Sequence, residues 1–319
     1  MNEILREFLS EQNSKAPVDF TQLDAVEFRN SFPDRFTEGS YQQNVNKVDI
    51  EINLTGNKIS ARLYKPFNIS GTLPVLVYFH GGGFVIGTPA LSDSVCEGLA
   101  YCAQCVVVSI DYRLAPEYPF PTGLQDAFEA LNWVYHNAAA LDIDSERIAV
   151  GGNSAGGNFA AVLAQASRDV VPTLCHQVLL FPVLNYGFDS VSAREYDQGY
   201  FLSREMMQWF WQTYLPEHYD KSDPLISPLQ AHRLKEVCSA TIVTAQYDIL
   251  RDDAHTYAEK LKQAGVPVAL KCWNDSIHDF ILMPDKFPVA DDAIVFAAEQ
   301  LKNAFAIPPV TSHGERKWN

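Results

Sequence analysis

The chain has 319 residues, 47% of them hydrophobic, and 24 basic against 39 acidic side chains give a formal net charge of −15. That balance argues against nucleic acid and against anionic membrane surfaces as partners. No apolar run approaches the ~18 residues of a membrane span. No repeat, low-complexity stretch or linker rich in Gly, Ser or Pro divides the chain, so one main domain with an attached cap fits better than two domains.

Met1–Leu9 is charged early and lacks a signal-peptide core. It predicts an amphipathic helix with Ile4, Leu5, Phe8 and Leu9 on one face. Without an export signal, a cytoplasmic location and free thiols are expected for Cys96, Cys102, Cys105, Cys175, Cys238 and Cys272. The C-x-x-C spacing of Cys102 and Cys105 has no second pair beside it and runs into Val106-Val107-Val108, so core thiols are expected there. Residues 47–65 alternate apolar and polar in two runs around Thr55-Gly56-Asn57, as in a hairpin.

From Leu73 onward strands and helices alternate. The expected order is strand 74–79, helix 92–103, strand 106–110, helix 122–137, strand 147–151, helix 154–168 and strand 177–181. After an interruption it resumes with strand 240–245, helix 251–264, strand 267–272 and helix 288–304. With the hairpin, this calls for an α/β fold: a mainly parallel sheet of about eight strands flanked by helices. Residues 185–235 break the rhythm with Tyr200, Phe201, Trp209, Phe210, Trp211 and Tyr214, and Ser203 caps a helix begun by Glu205 and Met206. The expected organisation is 1–44 as the amino-terminal part of a helical cap, 45–184 as the first part of the core and 185–235 as the cap insertion. Residues 236–307 form the second part of the core, and 308–319 are a tail without a motif.

Two glycine-rich runs sit at strand ends. Gly152-Asn153-Ser154-Ala155-Gly156 follows the apolar run 147–151 and opens an alanine-rich helix. A strand turning sharply into a helix lifts the serine oxygen above the sheet, at the positive end of the helix dipole. His80-Gly81-Gly82-Gly83 follows the apolar run 73–79. Its glycines permit positive φ and let backbone N–H groups point at a substrate. Gly82 and Gly83, with Ala155, are the expected donors to an oxyanion, and His80 is expected to brace the loop. A phosphate loop is disfavoured, since neither G-K-S/T nor G-x-G-x-x-G follows.

A serine nucleophile needs a base, and in this class of fold the acid and then the histidine follow it in the chain. Asp248 lies just past the carboxyl end of strand 240–245, where open α/β sheets carry their functional groups. Asp252 and Asp253 suit the first helical turn instead. His255 belongs to that helix and His313 to the polar tail, which leaves His278, just past the last strand. Its neighbour Asp279 is expected to point away.

These segments, with Asp111-Tyr112-Arg113-Leu114-Ala115-Pro116-Glu117 and Tyr247-Asp248-Ile249-Leu250-Arg251-Asp252, resemble the hormone-sensitive-lipase-like carboxylesterases of the α/β-hydrolase fold over about residues 45–305. The resemblance implies a Ser154–Asp248–His278 triad, with Gly82, Gly83 and Ala155 as the oxyanion hole and no metal or cofactor. It implies a small-molecule ester as substrate and a family in which homodimers are common, although no local feature requires one. Asn153 stands where the family usually has Asp, and Asp279 where it usually has Gly. Asp111, Arg113 and Glu117 are expected to form a network under the site. Phe84, Phe201 and Trp209 are the expected substrate-lining rings, suiting acyl chains of short to medium length. The same triad would serve an amidase or deacetylase. Some relatives in the fold are hormone receptors that have lost the histidine, which His278 argues against here.

Overall fold

The computed structural model describes residues 1–307 apart from 34, 35, 68, 70, 170 and 171. The tail 308–319, with His313, lies outside the described residues. Eight strands form one sheet: β1 (Val45–Leu54), β2 (Asn57–Pro66), β3 (Leu73–Phe79), β4 (Val106–Asp111), β5 (Ile143–Asn153), β6 (Leu174–Leu180), β7 (Ser239–Tyr247) and β8 (Val268–Ile277). Their spatial order is β1-β2-β4-β3-β5-β6-β7-β8. The β1–β2 hairpin closes with Leu54 opposite Asn57, and Gly56 takes φ 76° in its tip. β2 joins β4 antiparallel, whereas every pairing from β4 through β8 is parallel.

The helices are α1 (Glu3–Asn13), α2 (Ala25–Ser31), α3 (Asp93–Ala103), α4 (Thr122–His136), α5 (Ala138–Leu141), α6 (Ala155–Ala166), α7 (Val191–Glu195), α8 (Arg204–Tyr214), α9 (Arg251–Gln263) and α10 (Val289–Phe305). Every residue of β3 is buried, as a strand covered on both faces must be. Its side chains alternate between two cores. Val75, Val77 and Phe79 join α4, α6 and α9 on one face, while Leu76 and Tyr78 join α3 and α10 on the other. Strand β8 runs on to Ile277, five residues beyond its expected end at 272. The continuation Trp273-Asn274-Asp275-Ser276 is too polar to read as a strand, yet Tyr247 pairs with Ile277 beyond a register shift.

Helices α2 and α8 reach the loop after β3, where Arg29 donates to the Val85 carbonyl and Phe210 lies against Gly83, while α1 joins the core shared by α3 and α10. On α1, Leu5 and Leu9 are buried, and Phe8 meets Phe201 at 5.9 Å and Phe287 at 5.2 Å. Ile4, expected on that same face, is 47% exposed. Asn2 caps α1 by accepting from the Leu5 N–H. Residues 20 and 28 converge on α8, with Phe20 at 6.0 Å and Phe28 at 5.5 Å from Trp209. Ser203 caps α8 by accepting from the Met206 N–H at 3.1 Å, as its sequence predicts. Short α7 is held to α9 by two bonds: the Ser192 N–H donates to Asp252 Oδ2 (2.8 Å) and the Asp252 N–H to Ser192 Oγ (3.1 Å).

Candidate active site

Strand β5 ends at Asn153 and α6 begins at Ala155, so Ser154 alone makes the turn. Its backbone sits at φ 52°, ψ −118°, a region that costs about 1–3 kcal/mol for a side-chain-bearing residue. Neighbouring bonds hold it there. The Ser154 N–H donates to the Leu180 carbonyl at 2.9 Å, and the Ser154 carbonyl accepts from the Val183 N–H at 3.0 Å. Close packing explains the flanking glycines. A Cβ on Gly156 would run into the Phe79 carbonyl oxygen, and one on Gly152 into the Gly156 backbone.

His278 follows the last residue of β8 and Asp248 the last residue of β7. His278 Nε2 lies 2.9 Å from Ser154 Oγ, and its Nδ1 lies 2.8 Å from Asp248 Oδ2. The other Asp248 oxygen accepts from the Leu250 N–H at 2.9 Å, which fixes the carboxylate plane. An acceptor-only carboxylate at Nδ1 places the proton of neutral His278 there and turns the Nε2 lone pair toward the serine hydroxyl. All three residues are buried, and the Phe181 ring stands edge-on to the imidazole at 4.9 Å. Burial disfavours the charged imidazole, but the Asp248 and then the Asp279 charges outweigh it and raise the His278 pKa.

Asp279 does not simply point away. Its Oδ1 lies 3.8 Å from His278 Nε2, because the backbone at Asp279 turns left-handed (φ 61°). Alternation of side chains along an extended segment therefore fails at this residue. Burial raises its carboxyl pKa and Asp248 pushes the same way, against His278 and the Asn153 side chain.

Gly82 (φ 115°) and Gly83 (φ 59°) take the positive-φ conformations expected of them. Their N–H groups and that of Ala155 have no acceptor among the described residues. The Gly82 carbonyl turns back to accept from the N–H groups of Val85 (3.0 Å) and Ile86 (2.9 Å). The Phe210 ring of α8 lies where a Cβ on Gly83 would fall. His80 is buried beneath the loop, stacked on Tyr112 with ring centroids 4.4 Å apart. Burial lowers its pKa to about 4. A neutral ring wedged against Tyr112 fits the bracing role.

The three rings expected to line a substrate site differ in position. Phe84 is enclosed, stacked on Tyr214 at 4.1 Å with Trp211 and Phe159 beside it. Trp209 is buried among Phe20, Phe28 and Phe210, whereas Phe201 is half-buried beside Phe8. A surface cavity of about 500 Å³ lined by Gln43, Asn44, Phe67, Tyr101 and Gln104 sits by the amino end of β4 and holds none of the groups above. Among the described residues no cluster of three His, Cys, Asp or Glu could hold a metal ion. The six cysteines are unpaired.

Arg113 and Glu117 bind separate partners rather than one another. Arg113 forks onto Asp126 (2.6 and 2.9 Å), while Glu117 receives Arg29 of α2. Burial raises the pKa of Asp111 to about 6. Sequence reasoning passed over Arg29, whose partners are 56 to 88 positions away. It also passed over Asn158, whose amide donates to the Val183 and Ile226 carbonyls (3.0 and 2.9 Å) behind the serine turn.

A family profile described as the alpha/beta hydrolase fold matches residues 76–282. An arylesterase of Saccharolobus solfataricus is 34% identical over 282 residues, covering 88% of this chain and 92% of its own. A carboxylesterase of Mycobacterium tuberculosis is 40% identical over 251 residues, covering 77% and 78%. The crystal structure of a thermostable esterase from Pseudomonas putida superposes with a TM-score of 0.89 at 32% identity, over 95% of this chain and 97% of that one. Sequence, topology and these likenesses agree: the chain belongs to the hormone-sensitive-lipase-like carboxylic ester hydrolases of the α/β-hydrolase fold.

Proposed function

We propose that the protein hydrolyses small-molecule esters of short- to medium-chain acids through an acyl-enzyme on Ser154. The observation that carries this is the relay Ser154 Oγ–His278 Nε2 (2.9 Å) and His278 Nδ1–Asp248 Oδ2 (2.8 Å). His278 takes the hydroxyl proton as Ser154 Oγ attacks the ester carbonyl carbon. Asp248 holds the tautomer and stabilises the imidazolium. The N–H groups of Gly82, Gly83 and Ala155 receive the oxyanion, each donor contributing about 10²–10³ in turnover. The carbonyl re-forms, the alcohol leaves with the proton from Nε2, and water repeats the sequence to free the acid.

The helices α1, α2 and α8 act as the cap in this reading, and Phe201, half-buried on that cap, is the ring best set to meet an acyl chain. Phe84 and Trp209 support it from behind. Six unpaired thiols suit a reducing compartment such as the cytoplasm.

The test is hydrolysis of p-nitrophenyl esters of graded acyl length, with Ser154→Ala alongside. Activity that peaks at short or middle chains and vanishes in the variant is the expected result. Activity retained in Ser154→Ala would sink the nucleophile assignment. Inertness toward every ester together with turnover of matched amides would move the site to amide chemistry.

A further inference from the structure

Asn153, one residue before the nucleophile, is fully buried. Its Oδ1 accepts from Tyr78 OH (2.9 Å), the Gly81 N–H (3.0 Å) and Ser92 Oγ (3.1 Å). A backbone N–H can only donate, so Gly81 fixes which end of the amide is oxygen. The Nδ2 end is thereby committed to the other side. Among the described residues, Asn153 Nδ2 and Asp279 Oδ1 are both buried without a hydrogen-bond partner, so neither bonds the other. The Asn153 side chain acts on the Asp279 carboxyl and favours its ionised form. Asp279 Oδ1 in turn lies 3.8 Å from His278 Nε2.

We propose that Asn153 and Asp279 are a coupled positioning pair. Asp279 sets a second carboxylate 3.8 Å from Nε2 of His278, so the imidazole has a carboxylate near each nitrogen, and the Asn153 amide favours the ionised form of that carboxylate without a hydrogen bond between them. Asp248 and Asp279 are the charged groups acting on His278, and Asp279 itself is acted on by His278, Asp248 and the Asn153 amide. The Tyr78 phenol, bonded to the same Asn153 oxygen, feels the Asp279 charge as well. An aspartate at 153 would set one carboxylate against another. The neutral amide is what lets a charged residue occupy 279.

This inference rests on the hydrolase reading of Ser154, so its test has a readout that needs no turnover. The imidazole of His278 is titrated by NMR in Ser154→Ala, alone and combined with Asp279→Asn, Asp279→Gly, Asn153→Asp or the swap Asn153→Asp/Asp279→Asn. Glycine at 279 accepts the left-handed backbone, which guards against misfolding of the Asn variant. Removing the 279 carboxylate should lower the His278 pKa by about one unit. In enzyme with Ser154 intact, the acid limb of kcat/KM should move down in pH by the same amount. Asn153→Asp alone should reduce kcat/KM and the swap should recover it, with a coupling of about fivefold or more. Titration curves and acid limbs unchanged in both Asp279 variants would overturn the pair, as would strictly additive effects in the swap. Inert wild-type enzyme would sink the hydrolase reading alone, leaving the NMR titration to judge the pair.

Discussion

Arg29 and Glu117 form a two-pronged ion pair, 2.8 Å at each prong, between the amino-terminal helix α2 and the loop after β4. The same guanidinium donates through Nε to the Val85 carbonyl (2.7 Å) and through Nη2 to the Ala115 carbonyl (2.6 Å). Val85 belongs to the turn closed on the Gly82 carbonyl. Arg29 therefore fastens the amino-terminal segment to the loop that carries the proposed oxyanion donors.

The two partners should not be worth the same. Glu117 is 42% exposed, and an exposed ion pair contributes about 0–1 kcal/mol. A charged donor to a carbonyl is worth about 1.5–3 kcal/mol. Arg29→Ala should lower unfolding free energy in denaturant by about 2 kcal/mol or more and slow ester turnover, while Glu117→Gln should lose under about 1 kcal/mol. Equal losses in the two variants would show that the carbonyl contacts contribute nothing.

Gly83 has two independent reasons to be glycine: φ 59° and the Phe210 ring where a Cβ would fall. Gly83→Ala should reduce kcat by about 10²–10³, the cost of losing one oxyanion donor, while the protein stays folded. Adding Phe210→Ala makes room and should return part of that rate. Gly56→Ala is the control, since Gly56 shares a positive φ but its Cβ would meet nothing. It should cost stability without touching kcat. No recovery in the Gly83/Phe210 double variant would assign the loss to backbone strain alone.

How far the sequence discloses this arrangement depends on the length scale of the force involved. β3 and β5 were legible because short apolar runs end in glycine, and a serine in a strand-to-helix turn has few structural uses. Asp248 and His278 could be ranked by chain order because parallel strands deliver their carboxyl ends to one edge. The end of β8 was not legible, since Asn274, Asp275 and Ser276 are held by pairing rather than by their own preference. Arg29 left no trace, because a side chain on a seven-residue helix finds partners only after the chain has folded. Asn153 and Asp279 looked like two unrelated departures in sequence. Only the left-handed turn at 279 brings the Asp279 carboxylate to the His278 imidazole.

Buried histidines should govern acid stability. His80 has a folded pKa of about 4 and His176 of about 3, both lowered by burial from an ordinary 6.5. His176 is neutral between Ser239 Oγ (2.7 Å) and Thr241 Oγ1 (2.8 Å). Because the unfolded chain takes up these protons first, stability is lost as pH falls from about 6.5 toward 4, at about 1.4 kcal/mol per pH unit for each ring. His278 has the opposite sign. Its raised pKa contributes stability that is complete below about 6.5 and lost as pH rises through its folded value. His176→Gln should reduce the slope of unfolding free energy between pH 6 and 4 by about one proton. A slope identical to that of the unmodified protein would mean that His176 is already charged when folded.

Phe201 and Trp209 are both aromatic and both in the segment 185–235, but they should fail differently. Trp209 is 7% exposed and wedged between Phe20 and Phe28. Its removal leaves a cavity, so Trp209→Ala should cost about 3–5 kcal/mol and depress rates at every acyl length. Phe201 is half-buried, with φ 76°, and touches Phe8 at 5.9 Å. Alanine at 201 keeps the same backbone strain, so Phe201→Ala isolates the ring. If that ring limits the acyl site, the variant should lose little stability and gain rate on longer acyl chains relative to acetate. A uniform fall across the p-nitrophenyl ester series would make Phe201 a packing residue for α1 and leave the limit on chain length to Phe210.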